Sequence, residues 1–267
     1  MMIKKELAAL CFSLFLIVFA SSCANTSPST SPSQVAHQDA RTVADSITEA
    51  DKLYAQREDV QHVREALVLL RQARATDATS YDVAWRISRC DYYLGAHAKD
   101  TDERDKAFTD GIVTGNAAAR MQEGKPEGHF WLGANYGGKA QTMSLDSLSS
   151  VDDIRTEMQA VLKIDEGFQQ GSAYMVLGQV DLDAPKMFGG DPQRALENLE
   201  KGLKFGGNNA LLRLHLARAY LAVNRKEDAR KQIEEIKKMQ PDPNFIPEHN
   251  EAVAEAQKIL DKDLKNG

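Results

Sequence analysis

Apolar residues recur at intervals of three and four positions along most of the chain after residue 40. The pattern is clearest from Asn209 to Asp242, where two amphipathic stretches are separated at Val223-Asn224-Arg225 and closed by Pro241. Such a period predicts amphipathic α-helices, and two of them joined by a short break predict a helical hairpin. No segment shows the alternation of a convincing strand. The sequence therefore predicts an all-α protein.

The same pattern divides the rest of the sequence into further hairpins. Breaks fall where the apolar period is interrupted, as at Arg57-Glu58-Asp59 and at Asp191-Pro192, the second of which is a typical helix start. The predicted pairs cover residues 36–75, 84–121, 128–165, 172–206 and 209–242, and a last amphipathic helix runs from Glu248 to about Leu264. The pattern thus predicts about eleven helices, as five pairs and a cap.

Small and aromatic residues in the hairpin Asn209 to Asp242 lie at fixed offsets, with Ala217 and Tyr220 on the first helix and Ala229 on the second. This spacing resembles the tetratricopeptide repeat, which places small residues where the two helices touch and cross, and an aromatic residue one turn after the first. A single hairpin cannot bury its own apolar face, so neighbouring hairpins are required. The expected architecture is a tetratricopeptide-like solenoid of helical hairpins, with about five degenerate repeats and a C-terminal capping helix.

The first residues form a different kind of segment. Lys4 and Lys5 precede an apolar run over residues 7–20, which Ser21-Ser22-Cys23 follows. A basic start, a short apolar region and small residues before a cut site are typical of a secretory signal, and the run is too short for a permanent membrane span. Ala20-Ser21-Ser22-Cys23 resembles a bacterial lipobox, which implies acylation of Cys23. The alternative is plain cleavage near Ser22 and a soluble product.

The domain organisation follows from these features. The sequence predicts a lipoprotein signal peptide over residues 1–22, a flexible Ser/Thr/Pro tether over 23–40 and a helical repeat domain over 41–267. Acyl chains on Cys23 would attach the domain firmly, at ~0.8 kcal/mol per buried CH₂. Ala24, rather than Asp, after the cysteine favours the outer membrane in Gram-negative sorting logic. We therefore expect an exported periplasmic protein anchored to the membrane by lipidated Cys23.

The composition limits the class of partner and the role of the remaining cysteine. Of 267 residues, 42% are apolar and 27% charged, and the net charge is −6, which becomes −7 when Lys4, Lys5 and Glu6 are removed with the signal. A moderately acidic surface argues against nucleic acid as a partner. Cys90 would be the one thiol left in the repeat domain, and it is interpreted as a small buried hydrophobe.

The sequence gives no positive support for an enzyme. The six histidines are scattered without the spacing of a zinc site, and no Gly-x-Ser-x-Gly or Cys/His arrangement occurs. A string resembling a phosphate-binding loop runs from Gly133 to Lys139, but Ala140 replaces the required hydroxyl residue and no strand precedes it. We therefore expect no catalytic residue, no metal and no cofactor.

The inner wall of the predicted solenoid is the better candidate for a site. In such superhelices the concave face is lined by the first helix of each pair, one residue after the small contact residue and three before it. This rule selects Trp85, Arg89, Phe130, Ala134, Met175, Gln179, Leu214 and Arg218, with Tyr92, Asn135 and Leu221 close to the same wall. An aromatic groove with Arg89 and Arg218 would suit a small apolar carboxylate. The alternative is that Trp85, Phe130 and Trp131 pack in the core, the favoured interpretation for Trp131, and that both arginines face water.

Three motifs add a more specific likeness: WRISR from Trp85, GHFWLGANYG from Gly128 and AYMVLGQVDLDAPKMFGGDPQRALENLEKGL from Ala173. They resemble the lipoprotein T component that accompanies some tripartite ATP-independent periplasmic (TRAP) transporters, and they are similar to the eukaryotic regulators of microtubule dynamics. The resemblance covers most of residues 45–265. It implies a helical periplasmic lipoprotein that associates with a substrate-binding protein, handles organic or apolar anions and can form a homo-oligomer such as a trimer with a central pore.

The leading hypothesis is therefore a non-enzymatic, lipid-anchored repeat protein that acts as an accessory component of a TRAP-type transporter. It would bind a periplasmic binding protein or other envelope protein, a small apolar anion, or both. The alternative is a structural scaffold for envelope assembly that binds no small ligand. The sequence leaves open whether the loop over residues 185–191 contacts a partner.

Overall fold

The computed structural model describes residues 42–142 and 150–264, so the predicted signal peptide, the tether and Cys23 lie outside the described residues. All regular structure in these two ranges is helical. Eleven α-helices follow one another in the described part: α1 (Val43–Ala55), α2 (Val60–Thr76), α3 (Tyr81–His97), α4 (Thr101–Met121), α5 (Pro126–Thr142), α6 (Ser150–Ile164), α7 (Phe168–Asp183), α8 (Pro192–Leu203), α9 (Ala210–Ala222), α10 (Lys226–Lys238) and α11 (Ile246–Asp263). Short 3-10 turns at Lys186–Phe188 and Pro243–Phe245 precede α8 and α11.

The helices begin where polar side chains can cap them. The Asp59 side chain accepts a hydrogen bond from the Gln61 amide at 2.9 Å, and the Asn209 side chain accepts one from the Leu212 amide at 3.0 Å. These bonds satisfy amide groups that have no partner inside the helix. Asn224, at the break after α9, has a left-handed φ of 61°. The breaks in the apolar period are therefore real helix boundaries.

The start of α7 is irregular. Gln169, Gln170 and Gly171 have positive φ values of 44°, 58° and 75°, so regular helical geometry begins only at Ser172. Ser172 is also where the apolar pattern predicts that this helix begins. Only Gly171 takes a left-handed φ without a steric penalty.

Each odd-numbered helix up to α9 packs against the even-numbered helix that follows it, and odd-numbered helices also contact one another, as α3 does with α5 and α9 with α11. Contact within a pair occurs at the small residue that the repeat pattern marks. A Cβ at Gly133 of α5 would lie 2.5 Å from Cε of Met158, and one at Gly178 of α7 would lie 2.5 Å from Cγ of Leu199. Ser88 of α3 donates a hydrogen bond to a backbone carbonyl of α4 at 2.8 Å.

The last helix covers the end of the array. Ala252, Ala256 and Ile259 of α11 pack in the same buried cluster as Leu216 of α9 and Ile233 of α10. An array of hairpins needs such a helix because its final pair would otherwise expose an apolar face. The all-α hairpin architecture with a C-terminal cap is therefore confirmed.

Two neighbouring glycines of α5 have different surroundings. A Cβ at Gly138 would lie 2.1 Å from Cε1 of Phe108, a buried ring on α4, whereas a Cβ at Gly137 would meet only Ile154 at 3.8 Å. The close approach of α4 to α5 thus requires glycine at the first position and not at the second.

We expect Gly138→Ala to lower the free energy of unfolding by about 1–3 kcal/mol, because the buried Phe108 ring cannot move aside cheaply. Gly137→Ala, the matched control, should raise it by up to about 1 kcal/mol, since alanine favours the helix. Urea unfolding of both variants measures the difference. Equal effects at the two positions would show that α4 and α5 are not packed as described.

Candidate functional site

The odd-numbered helices surround a cavity of about 1210 Å³. Each of the six contributes side chains to its wall, from Tyr54 of α1 to Glu251 of α11, and parts of α4 and α6 complete it. The sequence predicts an open concave groove. The structure adds a contact between the first hairpin and the last helix, so the wall of the cavity runs from α1 round to α11.

The main contacts that close the array centre on Arg57, and Asn250 of α11 also donates to Glu58 at 3.3 Å. Arg57, at the end of the first helix and only 4% exposed, donates from Nε and Nη2 to the two carboxylate oxygens of Glu248 at 3.1 and 2.6 Å. Its Nη2 also donates to the Asn244 carbonyl at 2.7 Å, and its guanidinium lies 5.0 Å from the centre of the Tyr54 ring. Arg57 and Glu248 are 191 positions apart in the chain. We name this group the clasp.

One side of the cavity is apolar and aromatic. The Phe130 ring centre lies 5.0 Å from that of Trp131 and 5.4 Å from that of Phe168, and the Tyr92 ring lies 5.7 Å from Trp131. Phe130, Trp131 and Tyr92 all line the cavity, as does Met175 of α7. Phe130 and Trp131 are buried in the helical core as well, so they serve both the packing and the wall.

Eight of the eleven predicted wall residues line this cavity: Arg89, Tyr92, Phe130, Ala134, Met175, Gln179, Leu214 and Arg218. Trp85, Asn135 and Leu221 do not. The Trp85 ring packs beside the Arg86 guanidinium, 4.1 Å from its centre, and Nε1 donates to Asp82 at 3.3 Å. Asn135 is 0% exposed and its amide donates to the Ser88 carbonyl at 3.0 Å, so it joins α5 to α3.

The two wall arginines are already engaged. Arg89 donates to Asp51 at 2.6 Å and its guanidinium lies 3.8 Å from the centre of the Tyr54 ring. Arg218 lies 3.7 Å from Glu255 and is 41% exposed. Asp51 is shared, because Arg86 also donates to it at 3.0 Å, and the buried Nε of Arg89 has no hydrogen-bond partner within the described ranges. Arg218 is the more exposed of the two wall arginines.

The carboxylates that α11 and α7 bring to the cavity are not among the predicted wall residues. Glu248, Glu251 and Glu255 lie along one side of α11, and Asp183 ends α7. Burial is the main cause that raises the pKa values of Asp183 and Glu251 above their ordinary ranges, with Arg218 acting in the opposite direction. The spacing of three and four in Glu248, Glu251 and Glu255 was a visible signal, but only the clasp turns that side inward.

His215 is the other unexpected feature of the wall. It lines the cavity, is 7% exposed, and its ring makes no hydrogen bond within the described ranges. Burial, with a smaller effect of Arg218, lowers its pKa to about 3. The imidazole is therefore neutral at pH 7, with one nitrogen able to accept a hydrogen bond.

The loop after α7 is held rigidly. Arg155 and Arg194 both bind the buried Asp181, at 2.7 and 2.6 Å, and both donate to the Gly189 carbonyl. Met187 at the tip is 83% exposed. The loop thus bridges α7 and α8 and also presents one large apolar side chain to the surroundings.

In the described ranges, no group of three or more His, Cys, Asp or Glu side chains could hold a metal ion. No helix among these eleven is long and apolar enough to cross a membrane. Cys90 is buried, and burial is the main cause that raises its pKa to about 12.

Helical pairs stacked in one register around a common cavity define a tetratricopeptide-type repeat protein. A thermophilic TPR protein from Thermus thermophilus has a similar structure, with a TM-score of 0.63 and 14% identity over 81% of this chain and 100% of that one. PilF from Pseudomonas aeruginosa is also similar, with a TM-score of 0.52 and 16% identity over 84% and 95% of the two chains. At these identities the likeness shows the fold alone. The comparison with curated proteins found no match.

The family model described as TRAP transporter T-component matches residues 88–261. The match runs from α3 into α11 and covers more than half of the chain. The protein therefore belongs to the TRAP transporter T-component family. Its fold is that of a TPR-like T component, as the three sequence motifs predicted.

We expect Arg57→Gln to lower the free energy of unfolding by about 2–3 kcal/mol, because it leaves Glu248 without its partner at the junction of the two ends. Arg64→Gln is the matched control. Arg64 pairs with Glu103 at 2.7 Å in a similar geometry, but it is 39% exposed and does not join the ends. That change should cost about 1 kcal/mol or less.

Hydrogen exchange and urea unfolding measure both effects. Arg57→Gln should also speed exchange in the first turn of α11, since that turn would lose its ion pair with the first hairpin. Equal stability of the two variants, with unchanged exchange in α11, would show that the clasp does not close the array.

Proposed function

We propose that this protein is a lipid-anchored accessory component of a TRAP-type transporter that holds a small apolar organic molecule in its cavity and binds a periplasmic partner protein. The observation that carries the proposal is a cavity of about 1210 Å³ with an aromatic side, in a chain of the T-component family. Cavities of several hundred Å³ lined mainly by apolar side chains are typical of small-molecule sites.

The apolar character of the ligand is supported better than its charge. Phe130, Trp131 and Met175 each offer apolar surface to the cavity, and burial against it contributes roughly 25 cal/mol per Å². Arg89, one of the two arginines on which the expected carboxylate depends, already binds Asp51. The proposed ligand is therefore an apolar organic molecule. Its head group would contact the polar side of the cavity.

The partner is proposed to be a substrate-binding protein or another envelope protein. A binding protein would receive or deliver the same ligand, which gives the cavity a role in transport without any catalytic group. The exposed Met187 is a suitable contact point, because its loop is already held by Arg155 and Arg194 and its unbranched side chain can adapt to a partner surface.

We expect Met175→Trp to abolish or sharply reduce a co-purified small molecule, because the larger ring would fill part of the cavity. Val113→Trp is the matched control: Val113 lies on α4, is 66% exposed and does not line the cavity. Native mass spectrometry of the full chain purified from membranes measures retention. Binding of the partner protein, measured by cross-linking in cells, should be the same in both variants.

Two results would contradict this part of the proposal. Retention of the same molecule by Met175→Trp would place the ligand elsewhere. Absence of any small molecule from the unmodified chain, together with cross-links to assembly proteins, would favour the structural scaffold instead.

The anchor is tested separately. We expect Cys23→Ser to move the protein from the membrane fraction to the soluble periplasmic fraction and to abolish labelling by radioactive palmitate, because no other residue takes the acyl chains. Cys90→Ser is the control and should change neither result, since Cys90 is buried in the helical domain. Membrane retention of Cys23→Ser would show that another segment anchors the chain.

A further inference from the structure

Two buried hydrogen-bond donors of the cavity wall have no acceptor in the described part of the protein. The indole Nε1 of Trp131 and the guanidinium Nε of Arg89 donate to no atom of residues 42–142 and 150–264. Both residues line the cavity, and Trp131 is only 8% exposed. Buried N–H groups are normally hydrogen-bonded, so two unpaired donors in the wall of one cavity point to an acceptor that a ligand supplies.

The two donors belong to adjacent parts of the wall. Asn135 Nδ2 donates to the Ser88 carbonyl at 3.0 Å and to the Trp131 carbonyl at 2.8 Å. The backbone of Trp131 is therefore held beside the residue that precedes Arg89. Tyr92 lies one helical turn after Arg89 on α3, and its ring centre is 5.7 Å from that of Trp131. Both donors thus flank Tyr92, where the aromatic side of the cavity meets its polar side.

Arg89 offers a hydrogen bond rather than an unmatched charge. Its Nη2 donates to Asp51 at 2.6 Å. Arg86 pairs with the same carboxylate at 3.0 Å and with Asp82 at 3.3 Å. Two arginines therefore face two carboxylates, so the charges of this group balance. The N–H of Trp131 carries no charge, so the pair of donors suits an oxygen atom without requiring an anion.

The other charges of the lining disfavour an anion. Within the described ranges, seven carboxylates and four arginines line the cavity, and no lysine does. Arg57 is already paired with Glu248, as Arg89 is with Asp51. A ligand carboxylate would add to this excess of negative charge in a space partly shielded from water, where repulsion is stronger than in bulk solvent.

Apolar groups surround the donors. The Phe130 ring centre lies 5.0 Å from that of Trp131, and Phe130 and Met175 line the same cavity. Small-molecule sites typically combine such an apolar lining with a few polar groups that fix the orientation of the ligand. A carbonyl compound with an apolar chain matches both parts, because it has a strong acceptor and no charge.

We propose that the cavity binds an uncharged carbonyl compound, such as a ketone, ester or amide. Its polar group accepts hydrogen bonds from Trp131 Nε1 and Arg89 Nε, and its apolar chain lies along Phe130 and Met175. This assignment rests on the proposed function, because it requires that the cavity holds a small apolar molecule. It replaces the carboxylate expected from the arginines with an uncharged acceptor.

Two volatile probes of the same shape test the carbonyl group: octan-2-one and 2-methyloct-1-ene, in which a methylene group replaces the oxygen. Headspace gas chromatography at pH 7 measures binding of each probe to the full chain carrying Cys23→Ser, which keeps acyl chains out of the assay. Relative to its partition into hexadecane, octan-2-one should bind at least about tenfold more tightly than the alkene. Sodium octanoate should displace octan-2-one only at about tenfold higher concentration than octan-2-one itself requires.

Substitutions locate the site. Trp131→Phe, which keeps an aromatic ring but has no N–H, should weaken octan-2-one binding about fivefold and leave 2-methyloct-1-ene binding unchanged. Arg89→Lys, which keeps a cation beside Asp51 but has no Nε, should have the same selective effect. Loss of folding would weaken both probes alike. Trp85→Phe is the matched control and should change neither, because Trp85 does not line the cavity and its N–H already donates to Asp82.

The indole N–H groups give a direct readout, because the chain has two tryptophans. Nitrogen-15 NMR spectra of the labelled protein should show one indole signal for each, and Trp131→Phe and Trp85→Phe assign them. Octan-2-one should move the Trp131 indole proton downfield, since that proton gains an acceptor, and should leave the Trp85 signal in place.

The failures are distinguishable. Equal normalised binding of octan-2-one and the alkene, octanoate binding more tightly than octan-2-one, an unmoved Trp131 signal, or octan-2-one binding that either donor variant leaves unchanged would each overturn the carbonyl site. The proposed function would then still stand. Failure of all three probes to bind would overturn the proposed ligand cavity and the carbonyl site together.

Discussion

The close approach of the two helices within each pair is the constraint on which the site depends. Ser88, Gly133, Gly178 and Ala217 stand at the corresponding position of four odd-numbered helices, and three of them are seen in tight contact with the following helix. A helix turns by about 100° per residue, so the residue one position later and the residue three positions earlier lie on the same flank. Fixing the contact therefore fixes which side chains face the cavity. The rule extends to α1, where the buried Ala50 is followed by Asp51, a cavity residue.

This geometry explains how much the sequence could predict. Helix boundaries and register depend on local patterns, so the hairpins and most wall residues follow from them. Asn135 lies two positions after Gly133, which is about 200° around the helix, and it therefore faces α3 rather than the cavity. Trp85 occupies a wall position of the pattern, but Asp82 and Arg86 on its own helix hold the indole along α3. The orientation of such a side chain is therefore set by its neighbours and not by its position in the repeat.

The electrostatic character of the cavity could not be predicted in the same way. An arginine on a predicted wall indicates an anion site only if no carboxylate of the protein reaches it. Arg89 receives Asp51 from the preceding pair, and Arg57 receives Glu248 across 191 positions. Which charges remain unpaired thus depends on contacts between distant parts of the chain, and those contacts exist only once the array is assembled. The carboxylates of α11 became part of the site for this reason.

The clasp changes how such a chain folds. In an open array each unit touches only its neighbours, so the two terminal units fray first and unfolding spreads inward step by step. Joining the first turn to the last helix leaves no terminal unit free, which couples the outermost hairpins and makes the transition more cooperative. The same contact closes a very long loop, whose entropic cost must be met before the bond contributes anything. Its formation therefore belongs to the final stage of assembly, after the hairpins have stacked.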